Sequence, residues 1–132
     1  MSAPLSPSAS KTTVIDLKAA HLTLGNTAAS VNILKGIDLK ISVGETVGIL
    51  GPSGAGKTSL LMVMAGLEHL TKGQISLTGI DITQMDEDPL AAMRRDMVGI
   101  IFQAFRLIPS LTALQNVAIP LELAGNNNAT DI

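Results

Sequence analysis

Apolar and polar positions alternate along two early runs, residues 14–24 and 33–42, with a polar stretch around Gly25-Asn26-Thr27 between them. In the second run Ile37, Leu39 and Ile41 alternate with Asp38, Lys40 and Ser42, the period of a strand buried on one face. The pattern predicts two antiparallel strands. Val43-Gly44-Glu45 then turns the chain into Thr46-Val47-Gly48-Ile49-Leu50, a short apolar run that reads as a strand buried on both faces. Over residues 57–67, Leu60, Leu61, Val63, Met64, Ala65 and Leu67 leave almost no polar face, which predicts a helix inside the protein. Lys72-Gly73 introduces a short strand at 74–78. Asp88 and Pro89 predict the cap and first residue of a short helix, with Arg94 and Arg95 at its C-terminal end, where cations suit the dipole. Residues 97–102 predict another fully apolar strand. Thr112 and Gln115 make a capping box, followed by Leu114, Val117, Ala118 and Leu121 on one helical face. Pro120 should kink or interrupt that helix. Residues 126–132 show no apolar period, and no internal repeat is present.

Between the apolar run at 46–50 and the apolar helix stand Gly51-Pro52-Ser53-Gly54-Ala55-Gly56-Lys57-Thr58. They fit G-x-x-x-x-G-K-[ST], a loop whose backbone N–H groups cradle nucleotide phosphates. Ordinary residue usage gives a chance match in a chain of this length odds of roughly one in two hundred. Strand, glycine loop and helix are also the setting such a loop requires. Gly51, Gly54 and Gly56 can take positive φ and let the backbone approach phosphates with no Cβ in the way. The helix start adds unpaired N–H groups and a partial positive charge. Lys57 would supply a full charge to the β- and γ-phosphates, and the Thr58 hydroxyl is placed to ligate Mg²⁺.

Composition narrows the setting. A length of 132 residues allows one domain or part of a larger one. Nine Lys and Arg against eleven Asp and Glu give a slightly acidic balance, which argues against a nucleic-acid surface. The chain has no cysteine, hence no disulfide framework and no thiolate metal site. No apolar stretch is long enough to cross a bilayer. Residues 1–12, rich in Ser, Ala and Pro, read as a flexible tail and not a signal peptide. The expected location is cytoplasmic, with any membrane connection made through a partner.

From the glycine loop onward the order of features resembles an ABC transporter ATPase. "ILKGIDLKISVGETVGILGPSGAGKTSLLMVMAGLEHLTKGQISLTG" is similar to that family's opening half, and "VGIIFQAFRLIPSLTALQNVAIPLEL" resembles its Q-loop and the start of its helical subdomain. In detail the chain looks most like the LolD/MacB-type exporter branch, and closest to the YbbA-like members. The resemblance covers residues 14–125 and implies an α/β P-loop NTPase fold: a RecA-like parallel sheet core plus an antiparallel β subdomain, truncated at the start of the helical subdomain. Residues 13–132 would be a partial nucleotide-binding domain. Carried over, Gly51, Pro52, Ser53, Gly54, Ala55, Gly56, Lys57, Thr58 and Ser59 would hold the phosphates of ATP. Thr58 and Gln103 would meet Mg²⁺, and Gln103, the Q-loop glutamine, would touch the attacking water and sense the γ-phosphate. Phe105, Arg106 and Leu107 are candidates for the groove that receives a membrane subunit's cytoplasmic helix, and Phe102 for core. The resemblance implies membrane permease subunits and a second nucleotide-binding subunit as partners, at the inner face of the cytoplasmic membrane.

Departures from the family pattern carry expectations of their own. No aromatic residue precedes the loop; Leu24 takes the place where the family stacks adenine, which leaves ATP over GTP preference open. No "LSGGQ" occurs, no apolar run ends in Asp-Glu, and no histidine follows the loop at the switch position. His21 and His69 come too early for that role and read as surface or partly packed residues. The expectation is a front half that binds nucleotide without catalysing hydrolysis. A GTPase or nucleotide kinase is the rival enzyme class, but Asp96-Met97-Val98-Gly99 precedes its strand instead of following one. A non-catalytic binding fragment is the other alternative.

Overall fold

The computed structural model describes residues 12–129. The chain divides into two compact units, Met1–Met85 and Asp86–Ile132. The first contains β1 (Thr13–Leu24), β2 (Val31–Ser42), α1 (Lys57–Met64), β3 (Lys72–Leu77) and β4 (Ile80–Asp81). All strand pairs are antiparallel, in the order β2-β1-β3-β4. The hairpin forms where the alternation predicts it, with Leu17 opposite Leu39 and Leu22 opposite Leu34. Leu17, Ala20, Leu22, Leu34, Ile75 and Leu77 are buried, as are Leu60, Val63 and Met64 of α1. Each fully buried Leu or Val contributes about 1.5–3 kcal/mol.

Strict alternation of buried positions fails after Leu17, and the backbone records it. Leu17, Ala20 and Leu22 are all buried, so Lys18 and Ala19 must share the space of a single exposed residue. Ala19 adopts φ 47, and the register slips between Leu17 and Ala20: a β-bulge. Its N–H donates to Asp38 Oδ1 at 2.8 Å. Its carbonyl presses on Gly73 of β3, where a Cβ would lie 2.2 Å from that oxygen.

Thr83 fastens the far end of the sheet. Its Oγ1 accepts the Ile75 N–H, and its own N–H donates to Asp81 Oδ1, both at 2.9 Å. The Thr83 hydroxyl first, then the Thr83 backbone, holds the Asp81 carboxyl below its ordinary pKa. A depressed folded-state pKa contributes stability above the ordinary carboxylate range, which is lost as pH falls through the folded value. Thr83→Val should move the Asp81 titration midpoint upward, read by carboxyl-carbon NMR; an unmoved midpoint would rule out the hydroxyl as the cause.

The second unit contains α2 (Glu87–Met97) and α3 (Ala113–Leu123). Asp86, not Asp88, is the N-cap of α2, so Pro89 falls at the third helical position. That position still lies in the first turn, where a missing N–H costs nothing. Arg94 and Arg95 occupy the last turn as expected, and Arg94 pairs with Glu87. The Thr112–Gln115 capping box is complete, with bonds of 3.2 and 2.8 Å. Asn116 secures the approach to α3: its Oδ1 accepts from Ile108 N at 2.8 Å. Pro120 lies inside the helix, which runs on to Leu123 despite the N–H that Pro120 withholds from the Asn116 carbonyl.

Three further expectations are corrected. First, neither expected strand forms: residues 46–50 pair with nothing, and of residues 97–102 Met97 ends α2 while the rest are in no strand; among the described residues no parallel pairing exists, so the antiparallel part of the expected fold is the part seen. A strand exists only through a neighbour, and neither run has one; Leu50 and Ile101 are 96% and 101% exposed. Second, α1 ends at Met64 and buries one face only, leaving Leu61 half exposed. Third, Phe102 is not core: it is partly exposed, with the Arg106 guanidinium 5.0 Å from its ring centre. Of the tail expected at 1–12, all but Thr12 lies outside the described residues, as does the stretch from 130 to 132.

Candidate functional site

Two left-handed glycines shape the loop between residue 50 and α1. Gly54 has φ 81, and Gly56, the N-cap of α1, has φ 92 and ψ 14. Gly51, the third glycine of the motif, is not among the positive-φ residues. Inside the loop the Ala55 N–H closes a turn on the Pro52 carbonyl at 3.1 Å. Gly56 tolerates no larger residue for a second reason: an added Cβ would lie 2.9 Å from Ile33 Cγ2 and 3.1 Å from the Ile33 carbonyl. The loop is therefore seated on β2.

The start of α1 is unusual for its lack of compensation. Gly56 offers no side-chain cap, and the first turn, Lys57, Thr58 and Ser59, holds no acidic residue. The N–H groups and positive dipole end of the helix are thus left for an external anion. Lys57 Nζ donates to the carbonyls of Gly51 and Pro52 at 2.5 and 2.8 Å, which holds the ammonium over the loop. Thr58 is exposed, and Ser59 is half buried. Uncapped donors, a fixed ammonium and a hydroxyl next to it match what a chain of phosphates and its divalent cation demand.

The other sequence-predicted residues are placed as follows. Leu24, at the end of β1, is opposite Val31 of β2 and 40% exposed. Gln103 belongs to the second unit and is exposed, as are Phe105, Arg106 and Leu107. Arg106 has a left-handed backbone, φ 53. His21 is half buried with its ring over Gly36, His69 is exposed, and no metal-holding acid or histidine cluster occurs among the described residues. Sequence reasoning missed Ile33 and Val31. The signal was available: pairing the two early runs across the polar stretch puts Val31 opposite Leu24.

An uncapped helix behind a left-handed glycine loop defines a P-loop protein. The family profile described as ABC transporter matches residues 34–132, and the chain belongs to that family. It is 48% identical over 96 residues to the lipoprotein-releasing system ATP-binding protein LolD of Bacteroides fragilis, covering 73% of this chain and 44% of that protein. It is 38% identical over 116 residues to the ABC transporter ATP-binding protein YbbA of Escherichia coli K12, covering 88% and 51%. Among solved structures, the dimeric post-hydrolysis state of the ATP-binding cassette MJ0796 bound to ADP and Pi matches with a TM-score of 0.79. That match has 39% identity and covers 83% of this chain and 47% of that one. The chain thus spans about half the length of the relatives it matches.

Proposed function

We propose that this chain binds ATP as the front part of the nucleotide-binding subunit of an ABC transporter, with residues 13–132 a partial cassette domain. The observation that carries the reading is the anion-ready start of α1, with Lys57 Nζ anchored on the Gly51 and Pro52 carbonyls. The backbone from Gly51 to Ser59 grips the phosphates, and Lys57 neutralises the β- and γ-groups. Thr58 would hold Mg²⁺, which when bound offsets charge on the phosphate oxygens. For Gln103 the support is its sequence setting, Phe102-Gln103 followed by Ile108-Pro109-Ser110-Leu111; its role is to sense the γ-phosphate and the attacking water. Leu24 is the candidate for contact with the base.

The proposed partners are membrane permease subunits and a second nucleotide-binding subunit. Family membership supports the first, and the dimeric MJ0796 structure supports the second. Among the described residues no helix is long and apolar enough to cross a membrane, so the proposed place is peripheral, at the inner face of the cytoplasmic membrane beside the permease. No nucleic-acid role is proposed for a chain with a net charge of −2.

Titration of the purified chain with ATP and Mg²⁺ tests the reading, and saturable binding displaced by tripolyphosphate is expected. Turnover is not. Loop and sensor supply positioning and charge, but the sequence holds no "LSGGQ" and no apolar run ending in Asp-Glu to provide a base. Steady-state phosphate release by the 132-residue chain should therefore match the background. Release well above background that disappears in Lys57→Ala would show that the chain carries a base of its own.

A further inference from the structure

We infer that the outer edge of β2 is a docking surface for a second copy of this chain, which pairs antiparallel about Leu39 and joins two four-stranded sheets into one. The inference goes beyond the nucleotide reading and stands apart from it. β2 is the outermost strand on its side of the sheet, in the order β2-β1-β3-β4. A terminal strand keeps one side of its ladder unpaired. Near Ile33 the strand carries the glycine loop, with an added Cβ of Gly56 3.1 Å from the Ile33 carbonyl. Gly36, at φ 79, then bends it, and the register with β1 slips there. Residues 37–41 are regular again. Among the described residues they make no backbone hydrogen bond beyond the pairing with β1.

Edge charges ordinarily hold copies apart. Here their order does the reverse. Two copies run antiparallel about Leu39 bring Asp38 of each opposite Lys40 of the other, an ion pair made twice by symmetry. On the other face the same register sets Leu39 against Leu39 and Ile37 against Ile41, residues that are only half buried within one chain. A slip of two residues either way brings Asp38 against Asp38 or Lys40 against Lys40, so the charges also fix the register. Both side chains have bonding capacity left. Asp38 gives one oxygen to the Ala19 N–H at 2.8 Å, and Lys40 stands 3.9 Å from Asp16 with its side chain 66% exposed. So short a paired stretch makes a weak dimer, formed as concentration rises.

Sedimentation equilibrium of the full chain tests this, with the parent expected to pass from monomer to dimer as it is concentrated. Asp38→Lys and Lys40→Asp should each weaken dimerisation about tenfold, because either change turns both ion pairs into repulsions. Mixed in equal amounts, the two variants should recover the parent's association, since opposite charges meet again. The chain holds no cysteine, so the register can be read directly. Leu39→Cys should oxidise to a covalent dimer, whereas Ile37→Cys, which would face Ile41 and not itself, should not. That comparison decides the matter if Asp38→Lys, deprived of its bond to Ala19, fails to fold. A parent chain that stays monomeric overturns the inference, as do charge variants that associate like the parent or a mixture that recovers nothing. Cross-linking of Ile37→Cys as readily as Leu39→Cys overturns it too.

Discussion

Lys57→Ala is expected to weaken ATP binding about ten- to a hundredfold, a loss of roughly 1.5–3 kcal/mol for a hydrogen bond to a charged group. The ammonium is the only full positive charge in the loop and its first helical turn. Its anchorage on the Gly51 and Pro52 carbonyls means that little side-chain freedom remains to be lost when phosphate arrives. The same two bonds tie the loop to α1, so the mutant's melting temperature should be measured beside its affinity. Loss of affinity with a native-like melt assigns the effect to the charge. Unchanged affinity in a calorimetric titration would remove Lys57 from the phosphate site.

Gly73→Ala is expected to destabilise the first unit by about 2–5 kcal/mol. Gly73 has φ 95, a conformation that costs an L-residue roughly 1–2 kcal/mol. The new Cβ would also stand 2.2 Å from the Ala19 carbonyl and 2.6 Å from that of Lys18. Both are backbone atoms of the bulge and cannot swing aside, so overpacking adds about 1–3 kcal/mol. Gly79→Ala is the matched control: its φ is 83, but nothing lies within 4 Å of its added Cβ. Chemical denaturation should therefore show Gly73→Ala well below Gly79→Ala. Equal losses would mean that strain alone acts and that the bulge does not press on β3.

What the sequence disclosed, and what it withheld, follows from how far apart the cooperating residues lie. The capping box needs only Thr112 and Gln115, and it forms as read. The glycine loop is equally local, and two of its three glycines take the left-handed backbone foreseen for them. Alternation in 33–42 marks β2 because its period needs no partner to be visible. The bulge at Ala19 is harder: Leu17-Lys18-Ala19-Ala20 breaks the period, yet only the pairing with β2 and β3 shows where the extra residue goes. The cap of α2 lies two residues before the one the pattern predicts, because Asp86, Glu87 and Asp88 all suit a helix start and Pro89 fits any first-turn position. Residues 46–50 and 98–102 are the clearest limit. Composition can say that a run is apolar, but only a neighbouring backbone makes it a strand.

Those two bare stretches govern how the polypeptide behaves in a crowd. Apart from the Val98 N–H, which donates to the Arg94 carbonyl, each offers water amides and carbonyls outside any sheet, fringed with greasy side chains, Leu50 on one and Ile101 on the other. Such ladders template one another when molecules meet often enough. Self-association along these stretches is the expected outcome as the 132-residue chain is concentrated, read as a rise in light scattering.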